Sequence, residues 1–159
     1  MQIEEVKFLK RKEVEKIEEM IERNYGVKVS LKDFMVFLTS KNKVKIVSKE
    51  ILRRDLKNLP ITSFGLTIGK LKRNNKIHLT IEGAMMCKDA KKNVILLDEE
   101  NGYKFLRGER FEVKKMINCE KHNFLIVKCG EDVLGSVAYA QEGFRNLLPK
   151  SRRIIESIY

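Results

Sequence analysis

Cysteine is scarce in this sequence: Cys87, Cys119 and Cys129 are the whole complement. An odd number with no C-x-x-C pair supports no disulfide framework. With no signal peptide in view, it points to a reducing interior compartment. No apolar run approaches the roughly 18 residues that span a bilayer, so a soluble, intracellular protein without a membrane partner is expected. A Pro/Ser/Gly-rich linker is also missing, as are internal repeats and low-complexity tracts.

The motifs of common catalysis are absent too. There is no G-x-x-x-x-G-K-[ST], no G-x-G-x-x-G and no nucleophile elbow. "SFGLTIGKLK" has the glycines of a phosphate loop, but its alternation reads as strand. Asp98, Glu99 and Glu100 are consecutive at a helix start, where acids favour the dipole, and do not form a general-acid pair. Cys119 and His122 have the C-x-x-H spacing of a metal site, yet a fourth ligand is not evident. His78 lies in an alternating stretch and reads as a surface residue. No catalytic residue, cofactor or metal is therefore assigned, and an enzyme is not expected.

Acids are missing from one stretch in particular. The 159 residues carry 33 Lys and Arg against 22 Asp and Glu, a net +11. Residues 1–30 balance, with seven of each sign. From Lys41 to Lys76, eleven Lys and Arg face only Glu50 and Asp55. "RNLLPKSRR" adds Arg145, Lys150, Arg152 and Arg153 with no acid among them. Charge blocked in this way favours an acidic partner, nucleic acid first and anionic membrane second. Solvated hairpin turns could give the same count. A membrane surface would want a basic amphipathic helix, and the one long helix in the pattern is charge-balanced.

What is present is a core's worth of apolar residues, 43%, in two textures. Phe8 to Tyr25 has helical spacing and stops at Gly26. "VKVSL" is short and alternating. Phe34–Thr39 and Lys43–Val47 read as a hairpin, Ser48–Leu56 as a helix, and "SFGLTIGKLK" with "KIHLTIEG" as a second hairpin. Ala84–Asp89 allows one or two helical turns. From Lys91 onward, "KKNVILLD", "RFEVKKMI", "NFLIVKC", "DVLGSVAYA" and "SRRIIESI" read as strands, with "EENGYKFLRG" a short helix and "EGFRNLLPK" irregular. The expected class is α+β. Residues 1–90 form an α+β domain with a small antiparallel sheet, and residues 91–159 a small mixed β-barrel, partly open.

The order strand, short helix ending "FLRG", strand, then "LGSVAYAQ" resembles a PUA domain. Upstream, "FGLTIGKLK" followed by "HLTIEGA" is similar to the pre-PUA domain of the Nip-seven family of large-ribosomal-subunit biogenesis factors. The resemblance covers nearly the whole chain, and the basic "PKSRRIIESIY" ending looks more like an archaeal form. It implies a non-catalytic RNA-binding factor for pre-rRNA processing, cytoplasmic if archaeal and nucleolar if eukaryotic. Single-stranded RNA would be contacted by the C-terminal PUA domain, and ribosome-assembly proteins could dock on the N-terminal domain. The alternative is a PUA adaptor or targeting module acting on tRNA or in RNA modification.

In PUA domains the helix-to-strand loop faces RNA, which brings "YKFLRGERFEV" forward. Gly108 either lets its N–H approach a phosphate or simply ends the helix. Arg107 and Arg110 would supply charge and planar contacts. Arg145, Lys150, Arg152 and Arg153 would complete the RNA-binding patch. If "SRRIIESI" is a strand, Arg152 and Arg153 point to opposite faces. The first-half cations Lys41, Lys43, Lys45, Lys70, Lys72, Arg73 and Lys76 are a secondary candidate and read as solvated hairpin tips that assist by long-range attraction. Phe105, Phe111, Phe124 and Tyr139 read as core, and Tyr103 as core or a stacking residue.

Overall fold

The computed structural model describes residues 5–52 and 65–155. The expected helix over Ser48–Leu56 is seen there as Lys49–Leu52 (α2), and its remainder lies outside the described residues.

The helix Arg11–Tyr25 (α1) buries Val14, Ile17, Ile21 and Tyr25 along one stripe, with charged residues opposite. It ends where Gly26 takes φ 64° and donates its N–H to Glu22 O. The stripe packs on a five-stranded antiparallel sheet in chain order: Val6–Phe8 (β1), Phe34–Thr39 (β2), Lys43–Ser48 (β3), Leu66–Lys72 (β4) and Lys76–Leu79 (β5). Alternation puts Val44, Ile46, Ile77 and Leu79 beneath α1, leaving Lys43, Lys70 and His78 on the other face. Phe8, expected at the start of the helix, instead ends an edge strand with Val6 and Lys7. "VKVSL" forms no strand, and Val27 and Val29 instead pack on this core as loop residues.

A short helix, Ile81–Met86 (α3), leads to the second sheet. Its strands are Val94–Leu97 (β6), Lys115–Ile117 (β7), Asn123–Cys129 (β8), Asp132–Ala140 (β9) and Gly143–Asn146 (β10), in the order β10-β9-β8-β6-β7. β6 runs parallel to β8 and the other pairings are antiparallel. The helix Glu99–Leu106 (α4) follows β6. The α+β class holds, and the second sheet is mixed as expected, but among the described residues it stays open and is not a closed barrel. Three local expectations change. "RFEVKKMI" pairs only over Lys115–Ile117. Gly143–Asn146, expected to be irregular, is a strand closed by the "QE" turn. "SRRII" is not a strand: Lys150–Arg152 is a 3-10 turn after Pro149.

The two sheets share a polar seam. The Tyr25 hydroxyl, itself buried, lies 3.0 Å from Ile77 O on β5 and 3.2 Å from Phe124 O on β8, so these two strands run side by side. Ser136 Oγ donates to Leu79 O at 2.9 Å, and Lys76 Nζ donates to His122 O.

Candidate nucleic-acid interface

The loop after α4 is built as a helix stop. Gly108 has φ 77° and donates to Phe105 O at 3.0 Å, while Glu109 N donates to Lys104 O at 2.8 Å. These are the two bonds of a Schellman cap, and they need a residue tolerant of positive φ. The close approach that the glycine allows is to Arg153: a Cβ at Gly108 would lie 2.7 Å from the Arg153 guanidinium. Ile154 N donates to Leu106 O, so the tail lies across the end of α4. Arg107 pairs with Glu109 at 3.1 Å. Arg110 is exposed beside a cleft of about 540 Å³, where it and Lys104 face Glu109, Glu112 and Glu142. That side of the loop has no surplus of positive charge.

The tail cations separate in the same way. Arg153 is half-buried and its Nε donates to Leu148 O at 3.2 Å. Arg152 reaches back to Glu82 Oε1 at 2.6 Å. Burial opposes ionisation of Glu82, but the Arg152 guanidinium, a backbone N–H and Thr80 outweigh it and hold the carboxyl below its ordinary range. Arg152 and Arg153 diverge, as expected, but because a 3-10 turn separates them rather than strand alternation. Lys150 is exposed, as is Arg145 on β10 opposite Ala138. The seven predicted residues thus form two groups. Arg107 pairs within the loop, Gly108 and Arg153 meet where the tail crosses it, and Arg152 is tied to the first half. Arg110, Arg145 and Lys150 stand open to solvent.

One arrangement was not foreseen. Lys43 on β3 is directly opposite Lys70 on β4, and Lys70 is opposite His78 on β5. The His78 ring stacks on Phe124 of β8, centroids 5.3 Å apart and planes within 17°. Phe124 is opposite Ala138, and Ala138 opposite Arg145. One row therefore crosses six strands of both sheets on a single face, half-buried to exposed throughout. Beside it opens a cleft of about 410 Å³ between Thr67, Lys70 and His78 on one wall and Ser136, Leu148 and Arg152 on the other. His78 and Phe124, read as a free surface residue and as core, are here partners at the sheet junction. Tyr103, read mainly as core, is 49% exposed on α4, whereas Phe105 is fully buried as expected.

Burial, followed by the positive fields of Lys72, Lys70 and Arg145, lowers the His78 pKa from 6.5 to about 4. Its neutral ring therefore contributes shape and not charge at neutral pH. Between pH 6.5 and about 4 the unfolded chain takes up a proton that the folded ring refuses, so folding stability falls as pH falls through that window. Relative to a His78→Gln variant, urea unfolding of the wild type should show an extra loss of about 2 kcal/mol, allowing for solvent screening of a half-buried ring. Parallel pH profiles for the two proteins would contradict it.

Residues 6–81 match the NIP7/UPF0113 pre-PUA domain, and residues 92–154 match the PUA domain of the methyltransferase RsmF. A crystal structure of a PUA domain from Aeropyrum pernix K1, in a tartrate complex, superposes with a TM-score of 0.44 at 14% identity, covering 81% of this chain and 67% of that one. No curated protein matches the sequence. The molecule is a two-part protein with an α+β pre-PUA domain followed by a PUA-type domain. The first half of the chain is similar to the NIP7/UPF0113 pre-PUA domain and the second to a PUA domain, a pairing that points to RNA binding and ribosome biogenesis. NIP7 proteins and PUA domains are generally non-catalytic, and the RsmF match concerns its PUA domain alone.

Proposed function

We propose that this protein is a non-catalytic RNA-binding factor for large-ribosomal-subunit biogenesis, contacting single-stranded segments of precursor rRNA through the basic face of its PUA domain. The observation that carries this reading is the succession of a NIP7-type pre-PUA domain and a PUA-type domain in one chain, supported by a net charge of +11. Within the PUA domain, Arg110, Arg145, Lys150 and Arg152 are exposed cations of the predicted set; Arg152 is paired with Glu82 and lines the cleft between the sheets. Assembly proteins docking on the N-terminal half belong to the same reading.

Binding to a labelled single-stranded RNA over a salt series tests it. Each phosphate neutralised on a single strand contributes about 0.7 to the slope of log K against log salt. Arg110→Gln/Arg145→Gln/Lys150→Gln should therefore make the slope shallower by about 2. An unchanged slope would remove these residues from the interface. The PUA match to a methyltransferase favours a second reading, a targeting module in RNA modification that acts on folded tRNA. A marked preference for tRNA over unstructured RNA would select that reading.

A further inference from the structure

From the register across the two sheets we infer that the RNA track does not end at the PUA domain. It continues along the row Arg145, Phe124, His78, Lys70 and Lys43, so that the pre-PUA sheet holds the far half of one bound single strand. The inference rests on the RNA-binding reading above and adds a second contact region to it.

Three observations carry the row into the first sheet. The first is continuity. β5 and β8 are held together by the shared Tyr25 hydroxyl and the His78–Phe124 stack, so cross-strand neighbours succeed one another from β3 to β10 without a gap. At the usual spacing of about 4.8 Å per strand, five steps span roughly 24 Å. The second is charge. Lys43, Lys70 and Lys72 at one end and Arg145 at the other place cations at both ends of the row. The nearest acid of the adjoining cleft, Glu82, is already neutralised by Arg152 at 2.6 Å. Three lysines of the first half are therefore more than hairpin decoration.

The third is what lies between the cations. A planar ring pair is flanked by Ala138, which with Phe124, Arg145 and Glu142 lines an open hollow. Cations spaced around a ring platform suit a strand whose bases are unstacked, with phosphates on the cations and a base against the rings. A duplex keeps its bases inside and has no use for that platform. The His78 ring, kept neutral by burial and by its lysine and arginine neighbours, adds no charge of its own and offers the row an aromatic face.

The test uses the full chain with single-stranded RNAs of about 4 and about 12 nucleotides, lengths that bracket the site sizes of single-strand-binding folds. For the wild type, the longer RNA should show a steeper salt slope than the shorter one, by about 2 if three further phosphates are engaged. In Lys43→Gln/Lys70→Gln/Lys72→Gln that difference should vanish, with affinity for the longer RNA reduced on the order of a hundredfold near 0.1 M salt. The longer RNA should also move the imidazole resonances of His78 in the wild-type protein, a readout independent of whether the triple variant folds. A slope difference retained in the triple variant, or His78 resonances unmoved at saturation, would overturn the inference. If neither RNA binds the wild type, or if the Arg110, Arg145 and Lys150 changes leave binding untouched while the lysine changes abolish it, the failure lies with the PUA-face reading instead.

Discussion

Gly83→Ala should destabilise the protein by about 3 kcal/mol or more, in the direction opposite to the usual effect of that substitution in a helix. Glycine inside a helix is ordinarily about 1 kcal/mol worse than alanine, and Gly83 sits inside α3. Here the added methyl has nowhere to go. Its Cβ would lie 1.8 Å from Ile68 O and 2.8 Å from Ile68 C. Those are backbone atoms of β4, and Ile68 O is pinned by the Thr80 N–H at 3.0 Å. Thr80 also caps α3, accepting from Gly83 N at 3.1 Å, and donates its hydroxyl to Thr67 O at 2.8 Å. To clear the methyl, α3 must lift off β4, which drags Ala84 and Cys87 out of the core and breaks the cap. Urea denaturation would measure the loss, and a stabilised variant would show that the contact does not exist. Because Thr80 and Glu82 line the cleft beside the cationic row, a variant that still folds should also bind the longer RNA more weakly.

The same small region shows how far the sequence could be read. Period-2 alternation in "KVKIVS", "LTIGKLK" and "KIHL" places Lys43, Lys70 and His78 on polar faces without any structure, because one face of each strand must meet α1. What alternation cannot supply is register. A shift of one residue in the pairing of β3 with β4 or of β4 with β5 would separate the three, and register there depends on the bulge between Val44 and Lys45 and on the β4–β5 turn with Asn74 and Asn75 at positive φ. The adjacency of β5 and β8 is further out of reach, since nothing local connects Ile77 to Phe124. The tail misled for a different reason. "SRRIIESI" carries strand-like residues, but Pro149 and the open carbonyls of α4 draw it into a turn that caps the helix. Local propensity lost there to a tertiary demand for hydrogen bonds. The helix stop at Gly108 was legible because a Schellman cap is a local device. Its tie to Arg153 was not.

The seam between the sheets leads to the second large effect. Asn93→Asp should destabilise the protein by about 3 to 5 kcal/mol at neutral pH and recover in part as the pH is lowered. Asn93 is fully buried, with φ 57°, a conformation that Asn tolerates better than most residues. Its Nδ2 donates to Asn24 O at 2.5 Å, and its Oδ1 accepts from Glu120 N at 2.9 Å. Asn24 in turn donates to Met20 O and Asn75 O and accepts from Asn123 Nδ2. One amide thus ties the end of α1 to the strand that opens the second sheet. Aspartate keeps the shape, the backbone preference and the bond from Glu120. It replaces the donor with an acceptor facing a carbonyl, at a helix C-terminus whose dipole already disfavours negative charge. Burial and that carbonyl both favour the protonated acid, so the folded-state pKa must rise above the unfolded value of about 3.9. A raised pKa means that stability is present below the unfolded value and is lost as pH climbs through the folded one. The variant should therefore approach wild-type stability in acid, where its carboxyl can donate to Asn24 O. Taking the difference from wild type at each pH cancels the His78 contribution, which has the opposite sign. Asn93→Ala supplies the contrast: it strands Asn24 O and Glu120 N and strains the backbone, but with nothing to protonate its deficit should stay flat with pH. If Asn93→Asp is equally flat, the amide does not hold α1 to the second sheet in the way the hydrogen bonds indicate.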